Sequence, residues 1–123
     1  MSGNKFLLDT NAVLYIVNGD KVLADLLNEQ QLYISIVTEM ELLSYREITL
    51  KEKQIIKNFL ADFIVVNIDD EIKILTIETK KRTHLKLPHS IIAATALALN
   101  IPFVTSDKQF KTVEDLNLLL YEK

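Results

Sequence analysis

The sequence has no cysteine. That excludes a disulfide framework and thiolate metal sites, and it fits a reducing compartment. Only two glycines and two prolines occur in 123 residues, too few for long linkers or low-complexity disorder. The opening stretch MSGNKFLLDTN lacks the long apolar core of a signal peptide. No apolar run reaches the roughly 20 residues of a membrane span. The expectation is a cytoplasmic chain with no membrane partner. An excess of positive charge is also missing, since the formal net charge is −3. A basic balance would have pointed to nucleic acid. An acidic chain can still act on it where carboxylates hold metal ions and a local basic patch meets the phosphates.

What remains is ordinary for a folded domain: 49% apolar and 25% charged residues. The length suits one domain over 1–123. At this size roughly two-thirds of the unfolded surface can be buried.

Along the chain, strand and helix patterns alternate. KFLLD (5–9) reads as a buried strand. The next stretch, TNAVLYIVNG, reads as a helix, with Thr10 or Asn11 able to cap it and Gly19 able to end it. A second short helix follows at 21–28, then a strand, QLYISIV, at 31–37. The segment 38–47 starts a helix at Thr38. In the helix 50–62, the residues Ile55, Ile56, Phe59, Leu60 and Phe63 share one face. FIVVNI (63–68) is a third strand, and Asp69 and Asp70 open a helix running to about 84. Pro88 sits near N1 of a helix over 88–99. PFVTSD (102–107) and LNLLLY (116–121) read as the fourth and fifth strands. Such alternation predicts an α/β fold, a mainly parallel sheet of about five strands covered on both faces in three layers, α/β/α. The strands at 5–9, 63–68 and 102–105 are apolar enough to be buried on both sides.

Ligands of open α/β sheets collect at the carboxyl ends of strands. There the sequence places acids: Asp9 after the first strand, Glu39 and Glu41 after the second, and Asp107 after the fourth. Acids gathered without basic partners repel one another, and a hard cation such as Mg2+ or Mn2+ is the usual compensation. Each acid also has a plain reading. Asp9 is suited to capping the next helix, Glu39 and Glu41 to a solvated helix surface, and Asp107 to an Asx-type turn.

At these residues the chain resembles the PIN-domain ribonucleases, and within them the VapC-type toxins of toxin–antitoxin pairs. FLLDTNAVLY resembles the opening motif and SIVTEMELL the second, where Thr38 stands three residues before the acid Glu41. LKLPHSIIAATAL resembles the third motif and FVTSDKQF the fourth. The resemblance spans essentially the whole chain. It implies a PIN-like fold and metal-dependent cleavage of RNA phosphodiester bonds. Asp9, Glu41 and Asp107 would be the ligands of Mg2+ or Mn2+. It further implies a cognate antitoxin and a homodimer. The weakly polar helices at 11–18 and 21–28 suit such partners or the core alike.

Thr10, Asn11, Thr38, Thr105 and Ser106 adjoin these acids and suit orienting them. Lys80, Lys81, Arg82 and Lys86 form a basic run leading into the third motif, with Lys108 and Lys111 nearby. They are candidates for phosphate contact, or for cations favoured by a helix C-terminus.

One position breaks the family pattern. The family carries an aspartate directly after the Leu-Pro pair, and here that residue is His89. Three roles stay open for it: a nitrogen ligand for a softer metal, a cation for the phosphate, or a lesion that cripples a Mg2+ site. A catalytically degenerate PIN domain that binds RNA or protein is the rival function. A haloacid-dehalogenase phosphatase is disfavoured because the second acid it needs is replaced by Asn11. A flavodoxin-like nucleotide binder is disfavoured because no Gly-rich phosphate loop is present.

Overall fold

A computed structural model describes residues 3–122. Five strands, β1 (Lys5–Leu8), β2 (Gln31–Ser35), β3 (Ile64–Val66), β4 (Phe103–Thr105) and β5 (Leu118–Leu120), form one sheet in the order β3-β2-β1-β4-β5. Every adjacent pair is parallel. Between them run α1 (Thr10–Val17), α2 (Lys21–Leu26), α3 (Ile36–Ser44), α4 (Leu50–Leu60), α5 (Asp70–Arg82) and α6 (Leu87–Leu99). Among the described residues no helix is long and apolar enough to cross a membrane.

The strand alternation splits the core in two. Leu7 and Phe103 point to one face, where they pack with Ala93 and Ala96 of α6. Leu8 and Val104 point to the other, where they meet Ala12 and Val13 of α1, Leu23 of α2, and Ile56 and Leu60 of α4. Neighbouring residues on one strand thus bury into different layers, which is what a sheet covered on both faces requires. The expected three-layer α/β/α arrangement is what the chain adopts. The alanines of α6 let that helix lie close against the sheet, and α5 packs along its other side.

The strand order also locates the site. From β1 the chain moves outward one way to β2 and β3, then returns to β4 on β1's other flank. The carboxyl ends of β1 and β4 are therefore the point where the sheet's winding reverses, the usual ligand crevice of such folds. The N–H of Asp9 donates to the carbonyl of Val104 (2.9 Å), holding the two strand ends together.

Several boundaries differ from the sequence expectation. The third helix begins at Ile36, not Thr38, because the Ser35 hydroxyl accepts from the N–H of Val37 and caps it there. A local cap outweighs the β-propensity of Ile36 and Val37. The first helix is capped by Asp9 rather than by Thr10 or Asn11. Ile55 is 47% exposed, so only Ile56 and Leu60 of the proposed face are fully buried. β3 is an edge strand, and Ile64 is 49% exposed rather than buried on both sides. The helix expected to reach about 84 ends at Arg82. The fourth strand stops at Thr105, and a short 3-10 turn, Lys108–Thr112, follows it.

Candidate active site

Asp9 stands at the N-terminus of α1 and is 4% exposed. Its Oδ1 accepts from the N–H of Thr10 (2.9 Å). Its Oδ2 accepts from the Thr105 hydroxyl (2.6 Å) and from Asn11 Nδ2 (3.1 Å). Burial pushes the Asp9 carboxyl above the ordinary carboxylate value. The Thr105 and Thr10 hydrogen bonds and the neighbouring His89 work against that rise, and the Asp107 charge adds to it.

The other acids are held by the same few polar groups. Glu41, on the second turn of α3, accepts from the Thr10 hydroxyl through Oε1 (2.7 Å). That hydroxyl lies 3.3 Å from the hydroxyl of fully buried Thr38. Asp107 caps the 3-10 turn, its Oδ1 accepting from the N–H of Gln109 (2.9 Å). The N–H of Asp107 donates to Thr105 Oγ1 (3.0 Å). Asn11 links the two strand ends, since its Oδ1 accepts from the N–H of Ser106 (3.2 Å) while its amide reaches Asp9.

Asp9, Thr10, Asn11, Leu14, Glu41, His89 and Asp107 line one open cleft of about 230 Å³. Among the described residues no lysine or arginine lines it. Glu39 is not among its walls. Four segments meet here: the ends of β1 and β4, the body of α3, and the first turn of α6. Thr38, Thr105 and Ser106 touch the wall residues from behind rather than lining the cleft.

The basic run lies apart from it. Lys80 Nζ donates to the carbonyl of Leu85 (3.1 Å), tying down the link between α5 and α6. Arg82 lines a different hollow, with Glu71 and Glu78. Lys86 is the residue before α6, and Lys108 follows Asp107, so these two stand nearest the cleft in sequence. Lys81 is exposed on the last turn of α5.

Leu14 and Phe110 complete the site and were not foreseen. Leu14 lies three residues past Asn11, so helical spacing from Asn11 was the signal for it. Phe110 is fully buried and packs edge-on against His89, with ring centroids 5.6 Å apart. Phe103 packs edge-on against Phe110 in turn (4.8 Å).

The donor set suits a hard divalent cation: three carboxylates in a cleft that, among the described residues, no lysine or arginine lines, one of them buried and disfavoured as an anion. Among the described residues, no three acids or histidines stand close enough together to enclose an ion by themselves. An ion bound there through one or two carboxylates would complete its shell with water, as Mg2+ commonly does.

A family model described as PIN domain matches residues 6–116. Solved structures share the fold. VapBC2 from Rickettsia felis, bound to a promoter DNA fragment, contains a chain with a TM-score of 0.85 at 19% identity, over 96% of this chain and 99% of that one. A toxin–antitoxin complex from Klebsiella pneumoniae gives 0.81 at 26% identity, over 95% and 98%. VapBC-1 from nontypeable Haemophilus influenzae gives 0.74 at 21%, over 94% and 97%. No curated protein matches the chain.

Proposed function

This chain belongs to the PIN domain family, and from that premise we propose that it is a metal-dependent endoribonuclease of the VapC toxin type. The observation that carries the reading is the single cleft that buried Asp9 lines with Glu41 and Asp107 at the winding reversal of the sheet. Asp9, Glu41 and Asp107 would hold Mg2+ or Mn2+. Such an ion, when bound, offsets charge on a scissile phosphate and lowers the pKa of water beside it.

The chain's own groups do the positioning. Thr105 and Asn11 fix the Asp9 carboxylate, and Thr10 fixes Glu41. A carboxylate of this set orients the attacking water and takes its proton. Lys86 and Lys108 supply cations for the RNA backbone at the cleft's edge. The toxin–antitoxin complexes of similar fold support a cognate antitoxin as partner, and the same reading gives a homodimer working in the cytoplasm.

His89 favours a second reading, a PIN domain that binds but cleaves poorly, because an imidazole replaces the aspartate that the family pattern leads one to expect. Cleavage of a mixed RNA pool, measured in Mg2+ and in Mn2+, separates the two. The nuclease reading expects activity that Asp9→Ala abolishes, and His89→Asp to raise the Mg2+ rate by at least about tenfold. RNA binding with no cleavage in either metal, even in His89→Asp, would leave only the binding module.

A further inference from the structure

Resting on the metal-site reading above, we propose that His89 makes this cleft prefer a borderline transition ion, Mn2+ or Co2+, over Mg2+. His89 lines the same cleft as Asp9, Glu41 and Asp107. Its Nδ1 is, among the described residues, the one buried side-chain nitrogen or oxygen without a hydrogen-bond partner. Buried polar groups are nearly always satisfied, so an orphan beside an acidic cleft marks a place where a partner is missing. The ring's orientation comes from packing: it rests edge-on against Phe110, which rests on Phe103. Among the described residues nothing hydrogen-bonds the orphaned nitrogen.

The donor chemistry then decides the ion. Three carboxylates alone do not separate Mg2+ from Mn2+ by donor type. An imidazole does, because Mg2+ demands oxygen while Mn2+ and Co2+ accept nitrogen, and Co2+ binds such sites more tightly than Mn2+. One ring nitrogen supplies the lone pair and the other keeps the proton. The chain has no cysteine, and among the described residues that line the cleft the imidazole is the one nitrogen donor suited to a metal ion. Asp9 is fixed by its hydrogen bonds, whereas Glu41 is exposed and His89 and Asp107 are partly exposed. An ion held by Asp9 would reach these three directly or through water.

The test is metal binding by the full chain, read by calorimetry with Mn2+, Co2+ and Mg2+, and by electron spin-echo spectra of bound Mn2+. The expected result is nitrogen modulation on bound Mn2+, absent in both His89→Asp and His89→Asn. His89→Asp should shift the Mn2+ to Mg2+ affinity ratio toward Mg2+ by about tenfold or more, the scale on which metal-site contacts act. His89→Asn, which carries no charge and no imidazole, should weaken Mn2+ without strengthening Mg2+. Mn2+ binding that Asp9→Asn abolishes, with no nitrogen modulation in the unaltered protein, overturns the role of His89 and leaves the nuclease reading standing. Ion binding that ignores Asp9→Asn, or none at all, removes the metal site and this proposal with it.

Discussion

Thr105 offers the sharpest test of how the cleft is held. It is fully buried, and its hydroxyl serves three neighbours. It donates to Asp9 Oδ2 (2.6 Å), accepts from the N–H of Asp107 (3.0 Å), and lies 3.4 Å from Asn11 Nδ2. Thr105→Val keeps the shape and removes all three. A hydrogen bond to a charged group is worth about 1.5–3 kcal/mol, and the partly buried Asp107 N–H left behind adds up to about 1. The expected loss is about 2–4 kcal/mol near neutral pH. A typical domain has about 5–15 kcal/mol in hand, so the variant folds. The loss should also depend on pH. Burial already raises the Asp9 carboxyl above its ordinary 3.8, and the Thr105 bond is the largest opposing influence. Its removal raises the folded pKa further and leaves the unfolded value alone. A group whose folded pKa is raised contributes stability that is complete below the unfolded pKa and disappears as pH rises through the folded one. The deficit of Thr105→Val should therefore be smallest below pH 3.8 and largest near pH 7. Urea unfolding of the metal-free protein and the variant, across this range at equal m-values, measures it. An equal deficit at both ends, or one below about 0.5 kcal/mol at neutrality, refutes the reasoning.

Asp9→Asn removes the same titration directly, so its unfolding free energy minus that of the unaltered protein should climb as pH rises from 3.8, then level off. A flat difference would mean that Asp9 ionises without penalty. Phe110→Ala empties the contact between Phe103 and His89, and should cost about 3–5 kcal/mol in chemical denaturation. Lys108→Ala should weaken RNA binding and lower the slope of log affinity against log salt by about one, by fluorescence anisotropy. Arg82→Ala, at a different hollow, should leave that slope unchanged.

The meeting of the acids in one cleft was legible because Asp9 directly follows β1 while Asp107 and Glu41 come soon after β4 and β2, and parallel strands bring their carboxyl ends to one edge. Their plain readings hold as well. Asp9 caps α1, and Asp107 makes an Asx-type bond to Gln109. Each does local structural work while lining the cleft, so capping and site formation were never rival explanations. The basic run was less legible. Charge pattern shows that Lys80 is a cation at a helix end, but not that the carbonyl of Leu85 claims it. The early start of α3 was hidden because Ile36 and Val37 are good strand formers, and a single serine hydroxyl decided otherwise. The 3-10 turn after Asp107 is too short to show a helical period in the sequence. With it went Phe110, the residue that sets the His89 ring.

The way the cleft is held explains why position 89 can vary without harm to the fold. Asp9, Thr105, Asp107, Asn11 and Ser106 form one hydrogen-bonded lattice across the ends of β1 and β4. Thr10 extends it to Glu41 on α3. Among the described residues the imidazole of His89 adds no hydrogen bond of its own to this lattice, and its ring packs edge-on against Phe110. The first turn of α6 is instead fixed by Pro88 and by the Ser90 hydroxyl donating to the carbonyl of Lys86. A change at 89 therefore alters the charge and donor type offered to the cleft while the carboxylates stay where their own partners hold them. At Asp9 and Thr105, by contrast, the same hydrogen bonds both hold the strand ends together and shape the cleft.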